Sequence, residues 1–155
     1  MTKPITTTSA ADLRQRLSAW CATHSSNPLH LEMSIGGIAL TVRGSTHLGV
    51  RIATCGALLA LAPNTQTLEQ AGRLALGSAA LYDAGLAFDE ASNSLLLSQT
   101  LHDPSPQTIY TALCALRAQT RGWKRTLATQ AHREQSTART QSALPSMPPS
   151  WAMRR

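Results

Sequence analysis

The chain has 155 residues, enough for one domain that buries most of its apolar surface without disulfides or a metal. Hydrophobic residues make up 43% of it but aromatic residues only 4%, so the core must be built from Leu, Ala, Ile and Val. The net charge of +6 is unevenly placed, because residues 113–155 carry +7 and the first 112 residues therefore sum to −1. A basic face spread over the whole folded body, as nucleic-acid binding would favour, is not indicated.

The cysteines and the apolar runs indicate which cellular compartment the protein occupies. Cys21, Cys55 and Cys114 lie far apart, with no CxxC or Cys/His ligand spacing, which is typical of buried thiols in a reducing environment. MTKPITTTSA has no apolar region of the kind found in a secretory signal, and no apolar run approaches the roughly 18 residues of a membrane helix. We therefore expect a soluble cytoplasmic protein without membrane insertion.

The first predicted element is a helix that follows a flexible N-terminus, residues 1–8. Ser9 is a candidate cap, with Asp12 three residues later. The segment SSNP, residues 25–28, ends the helix, because the position before proline disfavours helical backbone. The apolar face of this helix consists of Leu13, Leu17, Trp20, Cys21 and His24.

Period-two alternation then predicts three strands. Residues 29–35 and 38–43 alternate apolar with polar side chains, and Gly36-Gly37 between them is a hairpin-turn signal. Residues 44–46 are expected to form a loop, and Leu48, Val50 and Ile52 a third strand. The segment GALLALAP, residues 56–63, fits either an extension of that strand past a bulge at Gly56 or a docked loop.

The second predicted helix begins after a cap at Asn64 or Thr65 and runs to about Tyr82. It is apolar nearly all round, with Glu69 and Arg73 as its charged residues. A helix of this kind is buried on more than one side. The pattern leaves two alternatives open: an interface between two copies of the chain, or a core made wholly within one chain.

A second hairpin, Gly85–Phe88 with Leu95–Leu101, precedes a third helix capped by Ser105 with Pro106 in its first position. Beyond residue 130 the chain is polar and then proline-rich, which predicts a disordered tail. The expected fold is α+β, an antiparallel sheet flanked by helices in the order α-β-β-β-α-β-β-α. The expected domains are 1–8 (flexible), 9–130 (one α+β domain) and 131–155 (disordered, basic, proline-containing).

No motif for catalysis or cofactor binding is present. The glycine patterns that hold phosphates are missing, and His30 with Glu32 fits a solvated strand face better than a metal site, which needs three or four ligands. Asp89-Glu90 fits a turn, where adjacent side chains diverge. We therefore expect a binding module that is not an enzyme, with no cofactor and no metal.

Nucleic acid is the competing class of partner. A stripe of basic side chains along the third helix could neutralise phosphates. Against it, Trp123 falls on the apolar stripe and Phe and Tyr are rare, so no stacking platform is indicated. Nucleic acid is therefore not the expected partner. The basic stripe consists of Arg117, Arg121, Lys124 and Arg125.

The stretch LGSAALYDAGLAFDEASNSLLLSQTLHDPSPQTIYTALCALRAQTRGWKRTL resembles the class I type III secretion chaperones of Gram-negative bacteria. That family shows a Leu- and Ala-rich helix, a segment like G-x-L-x-L-D, a short turn, an L-x-L strand, an acidic spacer and a final helix ending in W-x-x-x-L. The resemblance covers about residues 9–128. The matching positions are Gly85, Leu86, Phe88 and Asp89, then Leu95 and Leu97, then Asp103, and finally Trp123 and Leu127.

The resemblance implies a homodimer that binds the N-terminal, largely extended segment of a secreted effector protein without ATP or cofactor. It implies a dimer interface on the second helix and the following strand, at Leu74, Leu81, Leu86 and Phe88. It implies effector-binding grooves on the first helix and first three strands, at Leu13, Leu17, Trp20, Leu40, Val42, Val50 and Ile52.

The charge departs from the family pattern. Members are typically acidic, whereas this chain has a pI near 10.0. The basic helix and tail are candidates for contact with an acidic partner, a component of the secretion apparatus or nucleic acid. The alternative function is a basic adaptor or regulator of the secretion system that binds protein or nucleic acid through the C-terminal helix and tail.

Overall fold

The computed structural model describes residues 5–7, 10–22 and 28–142. It confirms the predicted α+β class, in which three helices accompany a mainly antiparallel sheet. The elements in chain order are β1 (Ile5–Thr7), α1 (Ala10–Ala22), β2 (Leu29–Ile35), β3 (Ile38–His47), β4 (Val50–Leu61), α2 (Thr65–Ser78), β5 (Gly85–Asp89), β6 (Ser94–His102) and α3 (Pro106–Ser142).

The six strands form one sheet in the order β1-β2-β3-β4-β6-β5. All neighbours are antiparallel except β1, which pairs parallel with β2. Gly36 and Gly37 form the predicted turn, and their φ values of 59° and 77° are those that a tight two-residue hairpin requires. Leu48 and Gly49, at 51° and 80°, form a second turn of the same kind between β3 and β4.

The prediction of a loop at residues 44–46 was wrong, because β3 continues to His47. Gly44 belongs to the strand for a packing reason: a Cβ there would lie 2.5 Å from Cζ2 of Trp20, so the glycine admits the indole of α1. The prediction for Leu48 was also wrong, since this residue lies in the turn after β3. In the sequence, Gly44 indicated the end of a strand. In the fold, it lies where the Trp20 indole closely approaches the strand backbone.

The ambiguous segment after Gly56 is strand. β4 runs to Leu61, and its irregularity lies between Leu58 and Ala60, where the register against β6 shifts. Gly56 is regular strand, and a Cβ there would lie 2.7 Å from Oγ1 of Thr41 on β3.

The helices cover one face of the sheet. α3 packs on β3, β4 and β6, with α1 and α2 beside it. Alternation directs every second strand residue into this layer, so the core is aliphatic, as the composition predicted. The buried hydrophobic side chains are Leu13, Leu17, Trp20, Leu31, Met33, Ile38, Leu40, Val42, Ala53, Cys55, Ala57, Leu59, Ala71, Leu95, Leu97, Ile109, Ala112, Leu113, Leu116 and Trp123.

The predictions of a flexible N-terminus and a disordered tail both need correction. Ile5–Thr7 of the supposedly flexible N-terminus is a strand on β2, in keeping with its β-branched residues. Residues 131–142 continue α3, because AHREQSTARTQS is polar but contains no proline or glycine to end a helix. The rest of the predicted tail, residues 143–155, lies outside the described residues, as do the proposed cap Ser9 and the predicted terminator at residues 25–27.

α2 ends earlier than predicted, at Ser78 and not near Tyr82. The Ser78 hydroxyl donates to the backbone oxygen of Leu74 at 2.7 Å, and the Ser78 backbone oxygen accepts from the N–H groups of Leu81 and Tyr82. These bonds close a turn that leads the chain into β5. At the other end of the helix, Asn64 is the cap, and its side-chain oxygen accepts from the Thr67 N–H at 2.8 Å.

Candidate functional site

The predicted effector-binding residues divide between the core and the surface. Five of them, on α1 and β3, belong to the buried core: Leu13, Leu17, Trp20, Leu40 and Val42. Val50 is 45% exposed and Ile52 is half-buried. In the isolated chain, therefore, Val50 and Ile52 are the predicted groove residues that offer surface to a partner, whereas the other five support the sheet from the helix side.

The predicted interface residues also divide. Leu74 and Leu86 are half-buried and pack against the core, while Leu81 is 76% and Phe88 48% exposed. Sequence reasoning missed other exposed apolar side chains in this region, because a helix that is apolar all round does not show which side faces solvent. These are Leu61, Leu68, Leu76 and Tyr82.

The face of the sheet opposite the helices carries a groove of about 470 Å³. Its floor is a row of small residues that face one another across three strands, Thr41, Gly56 and Ser98. On one side of this row Leu58 faces Leu96 across β4 and β6. The groove combines an apolar wall with a hydroxyl-rich floor, so it can take apolar side chains and still satisfy a peptide backbone.

The sheet curls around this groove. Nη2 of Arg43 on β3 lies 4.0 Å from Oδ2 of Asp89 on β5. These strands are separated by β4 and β6, and the register places Arg43 level with Thr54 but Asp89 level with Leu61, further along β4. In a flat sheet, three strand spacings and this offset would place the two residues roughly 27 Å apart, beyond the reach of their side chains. The ion pair therefore crosses the open side of a concave surface.

Asp89 acts as a turn residue, and its side-chain oxygen accepts from the N–H of Ala91, two residues later. A hydrogen bond from Ser92 lowers the pKa of Asp89, with smaller contributions from the Ala91 N–H at 3.1 Å and from Arg43. The effect keeps the carboxylate charged beside the groove.

The basic stripe of α3 faces solvent. Arg117, Arg121 and Arg125 are exposed and Lys124 is half-buried, and none of them makes an ion pair within residues 11–22 and 28–132. The arrangement leaves four positive charges available to a partner.

The cysteines and histidines do not form a metal site in the described part of the chain, where no three His, Cys, Asp or Glu side chains cluster. Burial raises the pKa of the Cys55 thiol to about 11, so this group stays protonated and unreactive in the core. Burial also raises the pKa of Cys21, whose thiol donates to the Pro104 backbone oxygen at 3.5 Å. Among the described helices, none has the length and apolar character needed to span a bilayer.

Comparison with known proteins identifies a solved structure that has the same fold. No family model matches the chain, and no curated protein does. One chain of a solved chaperone–effector complex shares this fold. It comes from the structure of the HopA1-SchA chaperone-effector complex, with 20% sequence identity, a TM-score of 0.50, and coverage of 74% of this chain and 92% of that chain. At this identity the likeness shows that the two chains share a fold.

Proposed function

We propose that this protein is a non-catalytic secretion chaperone of the bacterial cytoplasm that binds the N-terminal segment of a type III effector and keeps it competent for secretion. The observation that carries the proposal is the fold shared with a chain of a chaperone–effector complex over 92% of that chain. The absence of recognisable catalytic or nucleotide-binding motifs in the sequence is compatible with it. Binding would require neither ATP nor a cofactor.

The concave face of the sheet suits an extended segment of the client, which is the effector protein that the chaperone binds. Its hydroxyl-lined floor and apolar wall provide alternating polar and apolar contacts, and the pattern of an extended chain also alternates with period two. Val50 and Ile52 lie on the same face of β4 as Gly56 and Leu58, so a segment that leaves the groove along this strand would meet them. The five predicted groove residues that are buried would not touch the bound segment. Their packing in the core would hold the sheet in the shape that binds it.

Dimerisation through α2 and β5 forms part of the proposal. Leu81 and Phe88 are large apolar side chains left exposed by the single chain, next to the half-buried Leu74 and Leu86. Exposed apolar surface concentrated in one region is typical of an interface. A second copy that covers it would give the homodimer that the family resemblance implies.

The test is affinity capture from the native cytoplasm, with the complex sized by light scattering. We expect two copies of this chain with one secreted protein. The captured protein is then expressed without its N-terminal segment, and that segment is expressed alone. Retention of the isolated segment and loss of the truncated protein support the proposal. Capture through another part of the partner, or a complex that requires ATP, contradicts it.

The exposed basic stripe of α3 favours one alternative, an adaptor or regulator of the secretion system that binds an acidic protein, an apparatus component or nucleic acid. The charge-reversing variant Arg117→Glu/Arg121→Glu/Arg125→Glu separates the two functions, because none of these side chains makes an ion pair in the described residues. The chaperone function predicts unchanged client capture by this variant. The adaptor function predicts loss of the partner, with a strong salt dependence of binding to the unaltered chain.

A further inference from the structure

The exposed side of α3 carries a row of positive charge. Residues 106–132 hold four Lys or Arg side chains and no Asp or Glu. Arg117, Arg121 and Arg125 recur at every fourth position, so they line one side of the helix about 6 Å apart along its axis. All three are exposed, and Lys124 lies beside them half-buried. The ion pairs formed within residues 11–22 and 28–132 do not involve this charged row.

The first helix extends the charged row. The Arg14 guanidinium on α1 lies 5.1 Å from the centre of the Tyr110 ring on α3. Tyr110 precedes Arg117 by seven residues, which is close to two helical turns, so it lies on the same side of α3. The cation–π contact holds the exposed positive charge of Arg14 at this position. Positive charge therefore follows this side of α3 for about 22 Å, from Tyr110 to Arg125.

A row of small residues runs beside the charged row. Cys114, Ala118 and Gly122 each precede one of its arginines by three positions, so they are its neighbours on the helix surface. All three are exposed, and a Cβ on Gly122 would meet nothing within 4 Å. Small side chains at four-residue intervals let the backbone of a second helix approach closely, since the side chains at the contact set the distance between helix axes. This small row is separate from the proposed dimer interface on α2 and β5.

We propose that the charged row and the small row form a docking surface for an acidic helix of a partner protein. Carboxylates at every fourth position of that helix repeat at the same interval as the arginines, so they pair with them in register, while its backbone packs on the small row. This surface lies on the helix side of the sheet, whereas the client groove lies on the opposite face. The client and the acidic helix can therefore bind at once, and the docking surface does not depend on the chaperone function.

The charge and the side chains of this surface select its occupant. A second copy of the chain would bring its own arginines against these, and like charges repel. A nucleic acid could pair its phosphates with the arginines, but its bases would find no ring to stack on. The aromatic side chains of residues 106–132 are Tyr110, which Arg14 covers, and Trp123, which is buried in the core. An acidic helix uses both rows and is the better fit.

The test titrates a blocked peptide of four Ala-Glu-Ala-Ala repeats into the isotope-labelled full chain and follows binding by NMR. Alanine and glutamate favour helix, and the repeat places the carboxylates along one side of it. We expect saturable shifts of the Ala118 and Gly122 backbone amides, with an affinity that falls as salt is added. A peptide of four Ala-Glu-Pro-Ala repeats has the same charge but cannot form the helix, so it should bind about tenfold more weakly or less.

Two variants separate the contributions of the two rows. Arg117→Gln/Arg121→Gln/Arg125→Gln should weaken binding of the helical peptide about tenfold, because it removes three ion pairs. Ala118→Gln/Gly122→Gln keeps the charge but holds the incoming helix away, and it should weaken binding by a similar factor. Both variants replace exposed residues with a good helix former, so the fold should persist, and circular dichroism checks this.

The matched control is Arg73→Gln, which removes an exposed arginine of α2 outside both rows and should leave the affinity unaltered. Absence of saturable shifts at Ala118 and Gly122, equal binding of the two peptides, or unaltered binding by Ala118→Gln/Gly122→Gln would overturn the proposal. Tighter binding of an oligothymidylate that is insensitive to Ala118→Gln/Gly122→Gln would also overturn it, by assigning the surface to nucleic acid. Shifts of these amides that grow with protein concentration alone would do the same, by assigning it to a second copy of the chain.

Discussion

At the scale of single residues, the contact between Gly44 and Trp20 connects α1 to the sheet. The indole fills the place that a side chain on Gly44 would occupy. This contact also explains why an aromatic residue stands at the end of an otherwise aliphatic helix face: it reaches the strand where no Cβ intervenes.

Gly44→Ala should destabilise the fold by about 1–3 kcal/mol, because the added methyl group forces the buried indole to move. The free energy of unfolding, measured by denaturant titration, tests this. Gly122→Ala is the matched control within α3, where a Cβ meets nothing within 4 Å. It should stabilise the chain by about 0.5–1 kcal/mol, since alanine is the better helix former. Equal effects of both variants would show that the Trp20 contact does not limit packing.

The lowered pKa of Asp89 leads to a prediction about how the stability of the fold depends on pH. Its pKa is lowered in the folded chain from the ordinary 3.8, so the charged form favours folding. That contribution is complete above the ordinary pKa and is lost as the pH falls through the lower folded value. Asp89→Asn should therefore be less stable than the unaltered chain near neutral pH, and the difference should shrink in acid. A difference that stays constant across the acid range would contradict this account.

At the scale of the elements, the helix boundaries follow from caps and breakers. α2 begins at Thr65 because Asn64 accepts from the Thr67 N–H and hydroxyl, each at 2.8 Å. α3 begins after Ser105, whose hydroxyl accepts from the Thr108 N–H at 3.1 Å. Ser105 was predicted from the sequence, and Asn64 was one of two candidates with Thr65, because a cap depends on neighbours within one turn.

Asn64→Ala should cost about 1 kcal/mol of folding free energy through the loss of the cap. Thermal or denaturant unfolding measures this loss of free energy. Faster amide hydrogen exchange confined to the first turn of α2 would show that the loss arises at the cap. Gln66→Ala, an exposed substitution in the same turn, is the control and should change the stability little. A loss as large in the control would assign the effect to general disturbance of the turn.

At the scale of the whole molecule, the question is what covers the apolar surface that one chain leaves exposed around α2 and β5. Leu81→Asp should convert the proposed dimer to a monomer without unfolding it, because this side chain is 76% exposed in the single chain. Sedimentation or light scattering measures the mass, and circular dichroism checks the fold. Leu48→Asp is the control, since Leu48 is 91% exposed but lies in the β3–β4 turn. An unchanged dimer for Leu81→Asp would reject the interface at that residue.

The fold was predictable because its signals are local. Period-two alternation identified β2, β3 and the β5–β6 hairpin, and the stripe from Ile109 to Leu127 identified α3. The errors had two causes, a glycine whose role depends on a distant residue and a polar composition that does not by itself break a helix. Gly44 indicated a loop but serves a tryptophan on another element, and the polar residues after 130 indicated disorder although nothing in them breaks a helix.

The sequence by itself determined the α+β class, the order of most elements, the helix caps and the concentration of charge in the last helix, because each depends on composition or on neighbours along the chain. Only the tertiary structure decided which apolar residues are core and which are surface. Leu17 and Leu81 are the same residue type on predicted helical faces, yet one is fully buried and the other is exposed. The physical reason is that burial depends on which elements pack together in three dimensions, and neighbours along the chain do not determine that packing.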